Sequence, residues 1–329
     1  MATADENSII HAAEYENSKP IIKWVGGKSQ ILDEVLAQFP IDIDNYYELF
    51  IGGGSVLLGL LSRMKEGDIK VRGRIFAFDA NEALIGMYNN IKRNCDALYK
   101  ELKKMIDIFL ACPNPEKSGG RSKKEVASNE DDAKVSREAY YYWIRAQYNA
   151  SSDKNAVRTS AMFIFLNKTC FRGVYRVGPN GFNVPYGFYA NPEIINKDHL
   201  DEISVLIKNV HFRVADFRDS MNLIIANKKD SDFVYMDPPY YPEDAKSFVG
   251  YTKDGFDEDS HTKFFELCHS MTDKKIRWLM SNSDVPALNS QFGNEMRSNI
   301  YHIEKIKCKR SINSKKPAST TMEVLICNF

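Results

Sequence analysis

The sequence predicts an α/β fold built around a largely parallel sheet, and three observations carry that prediction. Tyr46-Tyr-Glu-Leu-Phe-Ile reads as a strand that runs into the turn Gly52-Gly-Gly-Ser55 and then an apolar helix from Val56 to Met64. A second strand, Arg74-Ile-Phe-Ala-Phe, ends in Asp79 and completes half of a mononucleotide-binding sheet. Much later Phe233 to Met236 forms another strand that must stop at Asp237-Pro-Pro-Tyr240, because the prolines lack an amide hydrogen and fix φ. Acids and a glycine turn therefore arrive at the carboxyl edge of one sheet, where open α/β folds bind ligands.

A chain of 329 residues with 43% hydrophobic content can hold one large domain or two of ordinary size. Lys plus Arg and Asp plus Glu number 44 each, so the net charge is zero. That balance argues against a generic polyanion binder, and any nucleic-acid contact must rest on locally segregated charge. Six cysteines (Cys95, Cys112, Cys170, Cys268, Cys308 and Cys327) are scattered without a CxxC pair, and no signal segment opens the chain. A reducing, intracellular setting is expected, with neither a disulfide framework nor a metal site. No apolar run approaches the ~20 residues of a membrane span.

In order along the chain, Met1 to Lys19 is polar and small, an expected mobile tail. Pro20 to Ser29 reads as a turn leading into an amphipathic helix from Ile31 to Phe39. Gly27-Lys28-Ser29 is not a P-loop, since Ile22 stands where that motif needs glycine. The Gly52 to Gly54 turn lets backbone approach a ligand closely, but Leu57 replaces the third glycine of a dinucleotide fingerprint. Asp79 suits a pair of ribose hydroxyls; taken alone it serves equally as cap of a helix beginning near Asn81. Asn81 to Lys104 has helical period, Cys112 to Val135 is a Lys-, Ser- and Gly-rich insertion expected to be flexible, and Tyr140 to Tyr148 and Thr159 to Leu166 are again helical.

From Lys154 to Pro192 there is no Asp or Glu, while Lys154, Arg158, Lys168, Arg172 and Arg176 are positive. Within that stretch Cys170 to Val177 alternates at period two, Gly178-Pro-Asn-Gly181 signals a turn, and Phe182-Asn-Val-Pro-Tyr returns, which predicts a β-hairpin. A β-ribbon carrying arginines fits the DNA major groove, and an ordinary edge hairpin kept soluble by its arginines fits the charge equally well. Asn209 to Val214 is a strand ending in Asp216-Phe217, Ser260 to Met271 a helix and Lys275 to Asn282 a strand. Ile300 to Ile306 and Met322 to Cys327 pair as a closing antiparallel hairpin, with the basic run Lys305 to Lys316 between them.

At the carboxyl edge, an aspartate accepts a hydrogen bond from an amine, the Pro238 carbonyl accepts another, and Tyr240 offers a flat stacking face. Together they suit a flat ring bearing an amino group. The glycine turn, the strand-end acids and Asp237-Pro-Pro-Tyr240 occur here in one order, and that order resembles the Dam-type family of DNA adenine-N6 methyltransferases, the alpha group of amino-methyltransferases. The matching segments are Lys23-Trp-Val-Gly-Gly-Lys28, Glu48 to Ser55, Phe78-Asp-Ala-Asn81, the Cys170 to Pro185 hairpin, Asp216-Phe217, Asp237 to Tyr240, Ser281-Asn-Ser283, Arg310-Ser-Ile and Glu323-Val-Leu. They spread from residue 20 to 326, leaving only the tail and the 112 to 135 insertion outside.

The resemblance implies a Rossmann-like, seven-stranded S-adenosyl-L-methionine-dependent methyltransferase sheet. A target-recognition domain of helices and a β-hairpin would be inserted between its second and third strands. Residues 20–92 and 193–329 would form the catalytic domain and 93–192 the target-recognition domain. It further implies that Trp24, Lys28, Glu48, Phe50, Gly52, Gly54, Asp79, Asp216, Phe217 and Asp237 line the cofactor site, with Asp79 on the ribose and Asp216 and Phe217 about the adenine. Lys23, Phe171, Arg172, Val174, Arg176 and Pro185 would face double-stranded DNA, Arg176 reading a guanine and Phe171 wedging into the base stack. Arg172 departs from the polar amide expected at its position. The expected activity is methyl transfer by a monomer to a flipped adenine in a short palindromic site such as GATC. Transfer to the 4-amino group of cytosine would favour Ser at position 237, and transfer to an amide nitrogen would favour Asn there. A DNA-binding module without catalysis would not need Asp237, Tyr240 and the glycine turn together.

Overall fold

The computed structural model describes residues 18–114, 127–241, 256–294, 297, 299–309 and 320–329. Seven strands form one sheet: β1 (Tyr46–Glu48), β2 (Ile75–Asp79), β3 (Val210–Val214), β4 (Phe233–Met236), β5 (Arg277–Ser283), β6 (His302–Lys309) and β7 (Thr320–Cys327). Their spatial order is β6-β7-β5-β4-β1-β2-β3. The five from β5 to β3 run parallel, and the hairpin β6–β7 closes one edge antiparallel, as the sequence predicts. Because the chain moves outward from β1 through β2 to β3 and then restarts at β4 on the other side of β1, the order reverses between β1 and β4. That reversal opens a crevice at the carboxyl edge of these two strands.

β4 shows why the sheet holds. All four of its residues are buried, so it reads as an unbroken apolar run, typical of a strand covered on both faces. Phe233 and Tyr235 join the core on one face and Val234 and Met236 that on the other, the period-two alternation of a strand. The first face is covered by α1 (Leu32–Ala37), α2 (Ser55–Glu66) and α3 (Glu82–Arg93), and its core continues into α4 (Cys95–Ala111), α5 (Arg137–Ala150), α6 (Val157–Thr169) and α7 (Lys197–Leu206) through Phe109, Ile144 and Phe165. The second face is covered by α8 (Phe217–Ala226), α9 (Glu258–Asp273) and α10 (Pro286–Phe292), packed around Met221, Phe264 and Trp278.

Two local expectations need correction. The continuous helix over 81–104 is broken at Asn94, whose φ of −130° ends α3 and starts α4. The cap of α3 is Asn81, whose side chain accepts from Leu84 N at 3.1 Å, so Asp79 is released from that role. The predicted hairpin is far shorter than its alternating pattern implies. Arg172 and Gly173 sit in the left-handed region at φ 59° and 65°, curling 171–173 into a 3-10 turn instead of a strand. Pro185 has no amide to extend a ladder, and regular pairing survives only between Val177–Gly178 and Gly181–Phe182, around the expected turn.

Residues 1–17 of the expected tail and 115–126 of the expected insertion lie outside the described residues, as do Arg310, Lys315 and Lys316 of the basic run. Ser18 donates to Glu202 and the Lys19 carbonyl meets His199, both on α7. Within the described part of the expected 112–135 insertion, Glu130–Ala133 is a helical turn that buries Ala133, so this end of the segment is ordered against the domain.

Candidate active site

The crevice at the sheet reversal is organised by Asp237, delivered by β4. Lys28 Nζ donates to Asp237 Oδ2 at 2.6 Å and to the Gly26 carbonyl at 2.6 Å, and its side chain is only 4% exposed. Burial pushes the Asp237 carboxyl up to about 6; Lys28 pulls it down and the nearby Glu323 carboxylate pushes it up. It is therefore ionised at neutral pH and poised to accept hydrogen bonds. Lys28 Nζ also lies 5.0 Å from the centroid of the Tyr240 ring. The Tyr240 hydroxyl donates to Glu323 Oε2 at 2.7 Å, which fixes the tilt of that ring. Tyr241 is turned into the core beside His261 and Phe265, with its amide held by Asn282 Oδ1 at 3.1 Å.

On the neighbouring strand, Glu48 is 2% exposed and accepts from Tyr46 Oη at 2.7 Å. Burial pushes its carboxyl up to about 8, the Tyr46 hydroxyl pulls it down and the Asp237 charge pushes it up. The turn that follows is shaped by Trp24 and Tyr88. Gly52 takes φ 49°, and a Cβ there would stand 2.8 Å from Trp24 Cδ1; at Gly54, φ 77°, it would stand 2.6 Å from Tyr88 Oη. Glycine is required at both positions by conformation and by contact. Asp79 accepts from Gly52 N at 3.1 Å and from Asn81 N at 2.9 Å, so it braces the same turn. Burial nevertheless pushes its carboxyl up to about 6.

Asp216 and Phe217 are more committed than the sequence implies. Asp216 caps α8 by accepting from Arg218 N at 2.8 Å and pairs with the Arg218 guanidinium at 3.2 Å. Phe217 is 4% exposed and packs on Phe256 at 5.2 Å and Phe50 at 6.2 Å between ring centroids, so Phe50 too belongs to this aromatic cluster.

A second group gathers where the amino-terminal segment meets the hairpin. Asn167, buried on α6, accepts from Lys23 N at 2.9 Å and donates to Lys23 O at 2.7 Å and Gly173 O at 3.2 Å. A Cβ on Gly173 would come within 2.7 Å of the Lys23 side chain, so glycine permits the hairpin base to sit directly on Lys23. Tyr189 takes the Lys23 ammonium over its ring at 5.3 Å and accepts from Arg172 N at 3.0 Å. Phe171 is exposed, with the Arg172 guanidinium 5.2 Å from its ring. Val174 is half-buried, Pro185 is exposed with its carbonyl bonded to Phe171 N, and Arg176 stands apart near the hairpin tip. Tyr175 stacks on Trp24 at 5.4 Å, joining the hairpin to the glycine turn.

The structure thus brings together Trp24, Lys28, Glu48, Gly52, Gly54, Asp79, Asp237 and Tyr240 at one edge, and Lys23, Phe171 and Arg172 at its flank. The sequence reading missed Glu323, Asn282, Asn167, Tyr189 and Tyr175 as site residues. Glu323, Asn282 and Tyr175 had a signal, their place in segments matching the family. The others are ordinary polar and aromatic residues whose meaning lies in tertiary contact.

A family model described as D12 class N6 adenine-specific DNA methyltransferase matches residues 24–312. The chain is 34% identical over 322 residues to the type II methyltransferase M.MjaIII of Methanocaldococcus jannaschii, covering 94% of this chain and 99% of that one. It is 29% identical over 314 residues to a DNA adenine methylase of Haemophilus influenzae, covering 94% and 93% respectively. A DNA adenine methylase of Escherichia coli strain K12 is 27% identical over 301 residues, 91% of each chain.

Proposed function

The chain belongs to the D12 class of N6 adenine-specific DNA methyltransferases, and from that membership we propose that it methylates the exocyclic amine of an adenine flipped out of a short palindromic duplex site. The observation that carries this reading is Asp237-Pro-Pro-Tyr240 at the sheet reversal, with an ionised carboxylate beside a fixed aromatic ring.

S-Adenosyl-L-methionine is the methyl donor of such an enzyme, and when bound it supplies an electrophilic methyl carbon on a positively charged sulfur. The donor set fits it. Asp79 and Asp237 are carboxylates at strand ends flanking β1, suited to hydroxyls and to a positive charge, and Glu48 between them, held up to about 8 by burial, would ionise beside a bound cationic group. The Gly52 to Gly54 turn brings bare backbone to the same edge. Trp24, Lys28, Glu48, Phe50, Gly52, Gly54, Asp79, Asp216, Phe217 and Asp237 would hold it.

The adenine amine is a poor nucleophile because its lone pair is conjugated into the ring. Asp237 and the Pro238 carbonyl accept its two hydrogens, which drives the nitrogen toward a tetrahedral shape and aims the lone pair away from the ring. Tyr240, its hydroxyl anchored to Glu323, stacks on the base. Alignment of this kind can be worth ~7–11 kcal/mol, against the few kcal/mol needed to extrude a base from the duplex. Asp237 need not act as a general base, since the proton leaves the product ammonium after transfer. Residues 93–192 act as the target-recognition unit, with Lys23, Phe171, Arg172, Val174, Arg176 and Pro185 against DNA and the protein working as a monomer.

The test is to sequence modified bases in plasmid DNA from cells expressing the wild-type chain or Asp237→Ala. N6-methyladenine at one short palindrome, lost in the folded variant, is the expected result. Marks on cytosine, or unmarked DNA from folded wild-type protein, overturn the reading.

A further inference from the structure

We propose that Asn183 is a positioning residue for site specificity, holding the Arg176 guanidinium in a plane that leaves its outer edge for one base. The proposal rests on the reading of Arg176 as a DNA contact. Arg176 Nε donates to Asn183 Oδ1 at 2.7 Å, and Asn183 N donates back to Arg176 O at 3.1 Å, so side chain and backbone of this pair are tied together across the hairpin. Both residues are exposed. An exposed pair of this kind needs a reason to be ordered, since a long arginine on a surface samples many rotamers.

The chemistry of the contact supplies the reason. Guanidinium carries its donors in a flat, rigid fork. With Nε committed to the amide oxygen, the end-on pair of Nη groups remains, and two parallel N–H donors match the O6 and N7 acceptors of guanine. Asn183 is itself seated: a Cβ on Gly178 would stand 2.5 Å from Asn183 Nδ2, so the glycine of the turn makes room for this amide. No Asp or Glu occurs between Lys154 and Pro192, so no carboxylate in this stretch offers Arg176 an alternative partner. Asn183 thus prepays the orientation that an untethered arginine would have to find on the DNA.

Once the methylated site is known, kcat/KM is measured on duplexes carrying it and on duplexes changed at each single base pair. Arg176→Ala is expected to flatten discrimination at one position by about 5- to 150-fold. Asn183→Leu should flatten the same position by about 3- to 10-fold, should add nothing in the Arg176→Ala background, and should leave cofactor affinity and Tm near wild type. Asn183→Asp, which keeps the acceptor, should retain discrimination. Gly178→Ala, whose added Cβ crowds the amide while leaving Asn183 itself unchanged, should reproduce the Asn183→Leu pattern and serves if that variant fails to fold. If Arg176→Ala leaves every position unchanged, the reading of Arg176 as a base contact falls. If Arg176→Ala flattens a position that neither Asn183→Leu nor Gly178→Ala affects, or Asn183→Leu still acts without Arg176, the role given to Asn183 falls alone.

Discussion

Lys28 Nζ and Asp237 Oδ2, separated by 209 positions in sequence, meet at 2.6 Å in the crevice between β1 and β4. The contact does more than close a loop. It pulls the protonation of the Asp237 carboxylate downward, against a burial effect of opposite sign.

The acid side of the pH–rate profile reports that balance. Asp237 is pushed up to about 6 in the free protein, so kcat/KM should fall as pH drops through that value. Lys28→Met removes the group that lowers the carboxyl, and the acid limb should move to higher pH. Steady-state rates between pH 5 and 9 check this, and an unmoved limb removes Lys28 from the account. Stability carries the opposite sign: a carboxyl raised on folding binds a proton that the unfolded chain has released, so its contribution is full below about 4 and is lost as pH rises through about 6.

Gly52→Ala should cost about 1–2 kcal/mol for the left-handed backbone alone, with a further penalty because the new Cβ meets Trp24. Calorimetric titration with S-adenosyl-L-methionine should show affinity reduced by about tenfold or more. Gly67→Ala is the matched control. Gly67 also has positive φ but nothing within 4 Å of an added Cβ, so it should lose stability and keep cofactor affinity. Equal cofactor binding by both variants would contradict the place given to the turn.

Asn167→Ala deletes three hydrogen bonds that hold Lys23 to Gly173. The buried amide should cost roughly 1–3 kcal/mol of stability. Duplex affinity, read by fluorescence anisotropy, should weaken and lose some of its salt dependence as Lys23 drifts. Cofactor affinity should change less than twofold. Undiminished DNA binding by the folded variant would dissociate this clamp from the DNA-facing surface.

Much of this architecture was legible because it is local. β4 declares itself by four consecutive large apolar residues followed by two prolines, and the Gly52 to Gly54 turn by composition alone. The hairpin misled for an equally physical reason. Cys170 to Val177 alternates as a strand does, yet Arg172 adopts a left-handed φ that no pattern of hydrophobicity encodes. Single-helix periodicity over 81–104 likewise survives a break at Asn94, because α3 and α4 each bury an apolar stripe of their own. Asn167 and Tyr189 were invisible as partners because each meets the site through contacts across the fold.

Nine consecutive residues, Pro20 to Lys28, carry three attachments in quick succession: Lys23 to the hairpin base, Trp24 over the glycine turn and Lys28 to the strand-end acid. For anyone trimming or tagging this chain, that spacing sets the usable boundary. A fusion joined upstream of Ser18 leaves these three tethers in place, whereas a start codon moved past Lys28 discards all three together, however intact the sheet beneath them.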